Sequence, residues 1–218
     1  DISTVLVPVM ALLYLGGGLA VILGNLRRLP EAVTLMLRCA VAPEAALGGA
    51  LGIVTRREAL RWGVARSVFS NEAGLGSAAI TAACADTEDP VKQGLISMTG
   101  VFFDTMVICT VTGLAICCSG TLGTADGAGR PLTGAALTLR AFETVLGPLA
   151  PWLIGVALGL FAFTSVLGCA VQAETTASYL LGPEAVRPCR VLYGLAVFAG
   201  AVIPMATVLQ LADLANAL

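Results

Sequence analysis

The chain has 218 residues, 57% of them hydrophobic and 12% charged, with a mean hydropathy of +0.91 and a formal net charge of −2. A soluble domain carries about 25% charged residues, so this balance, with apolar runs near 20 residues, points to an all-α, polytopic transmembrane helix bundle. The absence of histidine excludes His-containing catalytic triads, histidine-ligated zinc or haem and histidine proton relays, and no basic patch interleaved with aromatics points to nucleic acid.

In chain order, Val5 to Gly24 is uncharged for 20 residues, about 30 Å as a helix and enough to cross a bilayer core. Gly16-Gly17-Gly18 in mid-span is costly for a plain anchor. It marks either a close helix crossing or a locally unwound stretch that offers backbone to a ligand. Arg27 and Arg28 end the span, and Pro30-Glu31 reads as a new helix start. Residues 31–54 are apolar but interrupted by Arg38 and Pro43-Glu44. From Thr55 to Arg66 the chain is basic and amphipathic, as expected at a membrane interface.

Ser70 or Asn71 is expected to cap the next helix, with Glu72 in its first turn and the helix running to about Ala85. Asp86 to Pro90 forms a polar loop, and residues 93–118 are a long span containing Asp104. Gly, Thr and Asp mark residues 119–133 as a water-exposed loop, and 134–146 reads as an amphipathic surface helix. Residues 149–181 span again, with Thr164 and Ser165 inside and Glu174 near the end. Gly182-Pro183 turns the chain into a last full span over 190–206. The expected spans are thus about 5–25, 31–54, 71–85, 93–118, 149–181 and 190–206, in one transmembrane domain with an exposed segment over 119–147. The seven cysteines contain no CxxC pair and read as small buried hydrophobes. The chain starts at Asp1 and stops inside an apolar run, so it is expected to be a fragment.

Polar groups persist in hydrocarbon mainly where they pair, line a cavity or bind a ligand. The segment Arg66-Ser67-Val68-Phe69-Ser70-Asn71-Glu72-Ala73-Gly74-Leu75-Gly76-Ser77-Ala78 concentrates them. Its glycines let a substrate approach the backbone, Asn71 both donates and accepts, and Ser77 offers a hydroxyl oxygen. The alternative is a well-capped helix with a glycine packing face. Asp104 reads as a structural ion pair or as a group with a part in transport. Thr164 and Ser165 either bond back to their own helix or serve as substrate or cation ligands, because hard cations prefer oxygen donors. For Glu174 the expectation is a place at the end of a spanning helix or an interhelix bond.

Residues 63–78 resemble the signature of the alanine/glycine:cation (sodium:alanine) symporter family, roughly G-x-x-R-G-x-F-S-N-E-A-G-M/L-G-S-A-P. Supporting stretches follow in family order, among them Phe103-Asp104-Thr105, Phe161-Ala162-Phe163 and Ala212-Asp213-Leu214-Ala215-Asn216. The resemblance implies the inverted-repeat fold of the amino acid–polyamine–cation superfamily, similar to the leucine transporter, of which this chain is the C-terminal half. It implies secondary active transport of a small neutral amino acid coupled to sodium, with a proton as the alternative ion, by alternating access. It also implies a multi-pass protein of the cell (inner) membrane, no enzyme activity, no cofactor, and a missing N-terminal half as partner. By position, Asn71, Gly74 and Leu75 match the substrate-site helix, and Ser165 and Cys169 a second wall. Ser77, Thr164 and Asp104 are weaker cation ligands.

Departures from the pattern concern the substrate. Cys169 stands where the family usually has Trp, and Val171-Gln172 where it has an aromatic pair. Cys in place of Trp leaves a larger expected pocket, which favours something larger than glycine or alanine. The rival readings are a channel, which needs repeated polar rings along a wet path, and a truncated remnant that does not transport.

Overall fold

The computed structural model describes residues 2–41, 56–72, 74, 76–125, 127, 129 and 131–216. The elements are α1 (Ile2–Gly24), α2 (Leu29–Val41), α3 (Arg56–Ser70), α4 (Ser77–Ala83), α5 (Pro90–Val101) and α6 (Cys109–Ser119). They continue with α7 (Gly134–Leu146), α8 (Ala150–Leu181), α9 (Val186–Val202) and α10 (Met205–Asn216). A π-helical segment, Phe102–Ile108, joins α5 to α6. Among the described residues there is no strand, only an isolated bridge between Ala125 and Pro131. Four stretches are long and apolar enough to cross a membrane: Val5–Gly24, Pro90–Ser119, Gly134–Leu181 and Pro183–Val202. Large apolar side chains such as Trp152 and Leu12 are exposed along them. The protein is an all-α, multi-pass membrane helix bundle.

Local chemistry sets the boundaries. Asp89 accepts from the Val91 amide at 2.9 Å and the Lys92 amide at 3.4 Å, so a carboxylate occupies the orphan donors of α5 while Pro90 opens the helix. Pro204 ends α9, whose last cap residue, Ile203, is extended. The expected span over 31–54 begins in the 13-residue α2, and residues 42–55 lie outside the described residues. The helix over 71–85 is shorter than expected. It starts at Ser77, because residues before it adopt left-handed backbone that no helix accommodates: Glu72 has φ 51°, Gly74 84° and Gly76 78°.

The chain divides into two compact units, residues 1–64 with 98–161, and residues 65–97 with 162–218. In the first unit, α1 packs on α6 and α7, and α2 on α6. Its core is Val21, Ile22, Ala115, Phe142, Ala150 and Ile154. The Gly16-Gly17-Gly18 question resolves in favour of a close crossing, since α1 is continuous. A Cβ on Gly18 would stand 2.5 Å from Val111 Cγ1, and one on Gly17 2.9 Å from the Phe142 ring. Small residues there let helices approach without help from water exclusion. The sequence pattern puts helix 134–146 on the surface within an exposed segment. It forms as α7, but Phe142 and Ala141 are fully buried, so its apolar stripe is core and not membrane surface.

The Tyr14 ring sits 5.7 Å from that of Phe142. Its hydroxyl lies 2.8 Å from Thr112 Oγ1, which donates to the Ile108 carbonyl at 2.7 Å. With the threonine proton committed, Tyr14 is the donor in the first contact. The chain of bonds ends on a carbonyl of the π segment, where widened backbone geometry leaves acceptors to be satisfied.

Candidate functional site

In the second unit, α3 runs to Ser70, and Glu72, at φ 51°, takes the chain out of helical geometry. The Asn71 backbone amide still makes the helical bond to the Ser67 carbonyl at 3.0 Å, and its side-chain amide donates to the same oxygen at 3.0 Å. Asn71 therefore closes α3 and does not cap the following helix, whose N-cap is Gly76. The described residues between α3 and α4, at positions 71, 72, 74 and 76, are non-helical, a break of the kind that transporters place at binding sites. Gly74 there has open space around its Cβ position, as backbone access by a ligand requires.

Glu72 does not occupy the first turn of a helix, as its sequence context predicts. It lies in the break, in a left-handed conformation that is uncommon for a residue with a Cβ. Its carboxylate is held from two sides. The Ser77 hydroxyl donates to Oε2, and Gln172 Nε2 donates to the same oxygen at 3.1 Å. Gln172 Nε2 also donates to Thr81 Oγ1 at 3.0 Å. Glu72, Ser77 and Gln172 are all half-buried. The network links the break, α4 and α8, and it satisfies the polar groups that a hydrocarbon setting makes expensive.

Beside this network runs an open groove of about 620 Å³ between α4 and α8. Gly76, Ser77 and Ile80 form one wall. The other is a single face of α8, with Cys169, Gln172, Ala173, Thr176 and Ala177 at spacings of three and four. The groove thus offers two hydroxyls, an amide and a thiol among small residues, a suitable lining for a small ligand with both polar and apolar parts. A neighbouring groove of about 580 Å³ continues along the two helices past Ala83 and Tyr179 with mainly apolar lining.

The residues singled out from the sequence divide accordingly. Ser77 and Cys169 meet across the groove. Ser165 lies one turn before Cys169 on α8, exposed, and is not part of the groove wall. Thr164 is half-buried beside it on α8. Asp104 sits half-buried in the π segment of the first unit, a type of irregularity that is frequent at functional sites. Leu75 lies outside the described residues. Glu174 makes the expected interhelix bond, with Arg190 Nε 2.7 Å from Oε1 and Nη2 2.8 Å from Oε2. The signature arginine, Arg66, pairs with Asp213 of α10 and stacks over Phe69 at 5.8 Å. The sequence alone assigns Asp213 no role.

Gln172 and Thr81 join the site without being predicted there. The signal for Gln172 is present in the sequence: it is a lone amide in an apolar helix, three residues after Cys169, where the family pattern has an aromatic pair. Thr81 carries no such signal, because hydroxyls in apolar helices usually bond to their own backbone.

Comparison with known proteins adds a family. A profile described as the sodium:alanine symporter family matches residues 1–218. The chain is 42% identical over 217 residues to an uncharacterized transporter of Haemophilus influenzae, covering 99% of this chain and 46% of that protein. It is 38% identical over 215 residues to the sodium/alanine symporter AgcS of Methanococcus maripaludis, covering 97% and 45%. It is 40% identical over 175 residues to the probable sodium/glutamine symporter GlnT of Bacillus subtilis, covering 80% and 34%. The chain therefore spans less than half the length of these curated relatives. They are transporters, neither channels nor enzymes by name.

Proposed function

This chain belongs to the sodium:alanine symporter family, and from that premise we propose that it forms part of a secondary transporter carrying a small neutral amino acid with sodium across the inner cell membrane by alternating access. The carrying observation is the break between α3 and α4, with Ser77 and Cys169 lining one groove beside it. An amino acid zwitterion suits such a place. Exposed backbone groups of Gly74 and Gly76 serve its charged ends, and the small residues of α8 leave room for a side chain. Asn71, Gly74, Leu75, Ser165 and Cys169 are the proposed substrate residues. Sodium, a hard cation, takes oxygen ligands, and Ser77 is the first candidate, with Thr164 and Asp104 as further ones. Coupling is thermodynamic: each solute raises the affinity for the other, and reciprocity links the fluxes. The chain works together with a preceding half of the transporter, in keeping with its share of the relatives' length.

The test is uptake by the full-length transporter in proteoliposomes. Alanine-sized amino acids should accumulate only under a sodium gradient, and Asn71→Ala or Ser165→Ala should reduce uptake at least about tenfold, the equivalent of one or two lost polar contacts. Accumulation driven equally well by a proton gradient alone would reassign the ion. Uptake indifferent to both substitutions would remove these residues from the site.

A further inference from the structure

Gln172 is more constrained than a groove-lining side chain needs to be. One nitrogen reaches two acceptors on different pieces of chain, Glu72 Oε2 in the break at 3.1 Å and Thr81 Oγ1 on α4 at 3.0 Å. A glutamine amide has two N–H donors on that atom, so both are committed. Glu72 Oε2 in turn receives a donor from each side, Gln172 from α8 and the Ser77 hydroxyl from α4. A non-glycine residue at φ 51° persists only where its surroundings over-determine it, and here those surroundings are these two donors. The consequence falls on Ser77. Its single hydroxyl proton is committed to Glu72, so toward a ligand its oxygen acts only as an acceptor, the state a cation requires.

We propose that Gln172 is a positioning residue for cation coupling: it clamps Glu72 against α8, and Glu72 so clamped takes the Ser77 proton and presents the Ser77 oxygen to the coupling cation. This rests on the transport reading above and extends it. Few side chains fit the role. Leucine has no donor, asparagine is one methylene too short to bridge the same two acceptors, and a glutamate in its place would set a second carboxylate against Glu72.

The full-length transporter in proteoliposomes tests this by the sodium dependence of uptake at saturating amino acid. Gln172→Leu and Gln172→Glu should each raise the sodium KM about tenfold, the scale of one charge-assisted hydrogen bond. The sodium KM should change by a larger factor than the maximal rate, since the clamp acts on the cation's ligand. A purely structural role would lower the maximal rate and leave the sodium KM alone. An unchanged sodium KM in Gln172→Leu overturns the proposal.

A second readout needs no transport: the rate at which a maleimide labels Cys169, read on the Cys169 peptide by mass spectrometry. Faster labelling in Gln172→Leu than in the parent supports the clamp. Identical rates in all variants overturn it. If the parent protein accumulates no amino acid under a sodium gradient, the transport reading fails while the labelling still decides the clamp.

Discussion

In the first unit, Phe142, Val21 and Cys118 are fully shielded and glycines of α1 press against neighbouring side chains, whereas no described residue of the second unit is buried. The first unit is held by interdigitated apolar packing around one aromatic ring. The second is held by polar links: Arg66 with Asp213, Glu174 with Arg190, and Gln172 with Glu72 and Thr81. In lipid, close packing supplies much of the energy of helix association, and hydrogen bonds supply specificity of place. The contrast therefore assigns close apolar packing and rigidity to the first unit, and an arrangement fixed mainly by polar contacts to the second.

That contrast breaks most visibly at Phe142. Phe142→Ala should destabilise the folded protein by about 3 kcal/mol or more through the cavity it leaves, measured as a shift in denaturation by titrated denaturing detergent. Gly18→Val comes next. Its added methyls meet Val111 and should cost about 1–3 kcal/mol by overpacking. A loss below about 0.5 kcal/mol in either case, the scale of an ordinary surface substitution, would mean the first unit is not the rigid one.

Cys169→Trp should act the other way round. Cys169 is exposed on the groove wall, so stability should stay within about 0.5 kcal/mol of the parent. Preference should move toward alanine and away from larger amino acids by about tenfold, the scale of one or two methylenes in a pocket. An unaltered preference would show that the groove does not contact the transported side chain.

Much of this division is legible in the residues, and what is not has physical reasons. The apolar run of Val5 to Gly24, the restart at Pro90 and the turn at Gly182-Pro183 carry helix signals that tertiary contacts merely ratify. Glycines 16–18 are ambiguous in sequence because a close crossing and an unwound segment demand the same small residue, and only the positions of Val111 and Phe142 separate them. The amphipathic stripe of residues 134–146 is equally compatible with lipid and with a core, so pattern alone leaves Phe142 at the surface. At the site, the polar cluster of residues 66–78 is visible, but capping signals start its helix at Asn71, one to two turns before Ser77. Asn71 and Glu72 are good capping residues, and nothing in the string of residues reveals that Asn71 folds back on Ser67. Gln172 stands out only as a departure from a family pattern, since its partners Thr81 and Glu72 are 91 and 100 positions away in the chain.

The proposed role of Ser77 is to present its oxygen to the coupling ion beside the groove between α4 and α8. The most direct measurement is the sodium dependence of alanine uptake by full-length protein carrying Ser77→Ala, with Ser77→Thr as the conservative partner. The account expects the sodium KM to rise about tenfold or more in Ser77→Ala, with Ser77→Thr close to the parent. A Ser77→Ala transporter whose uptake follows sodium as the parent's does would contradict it.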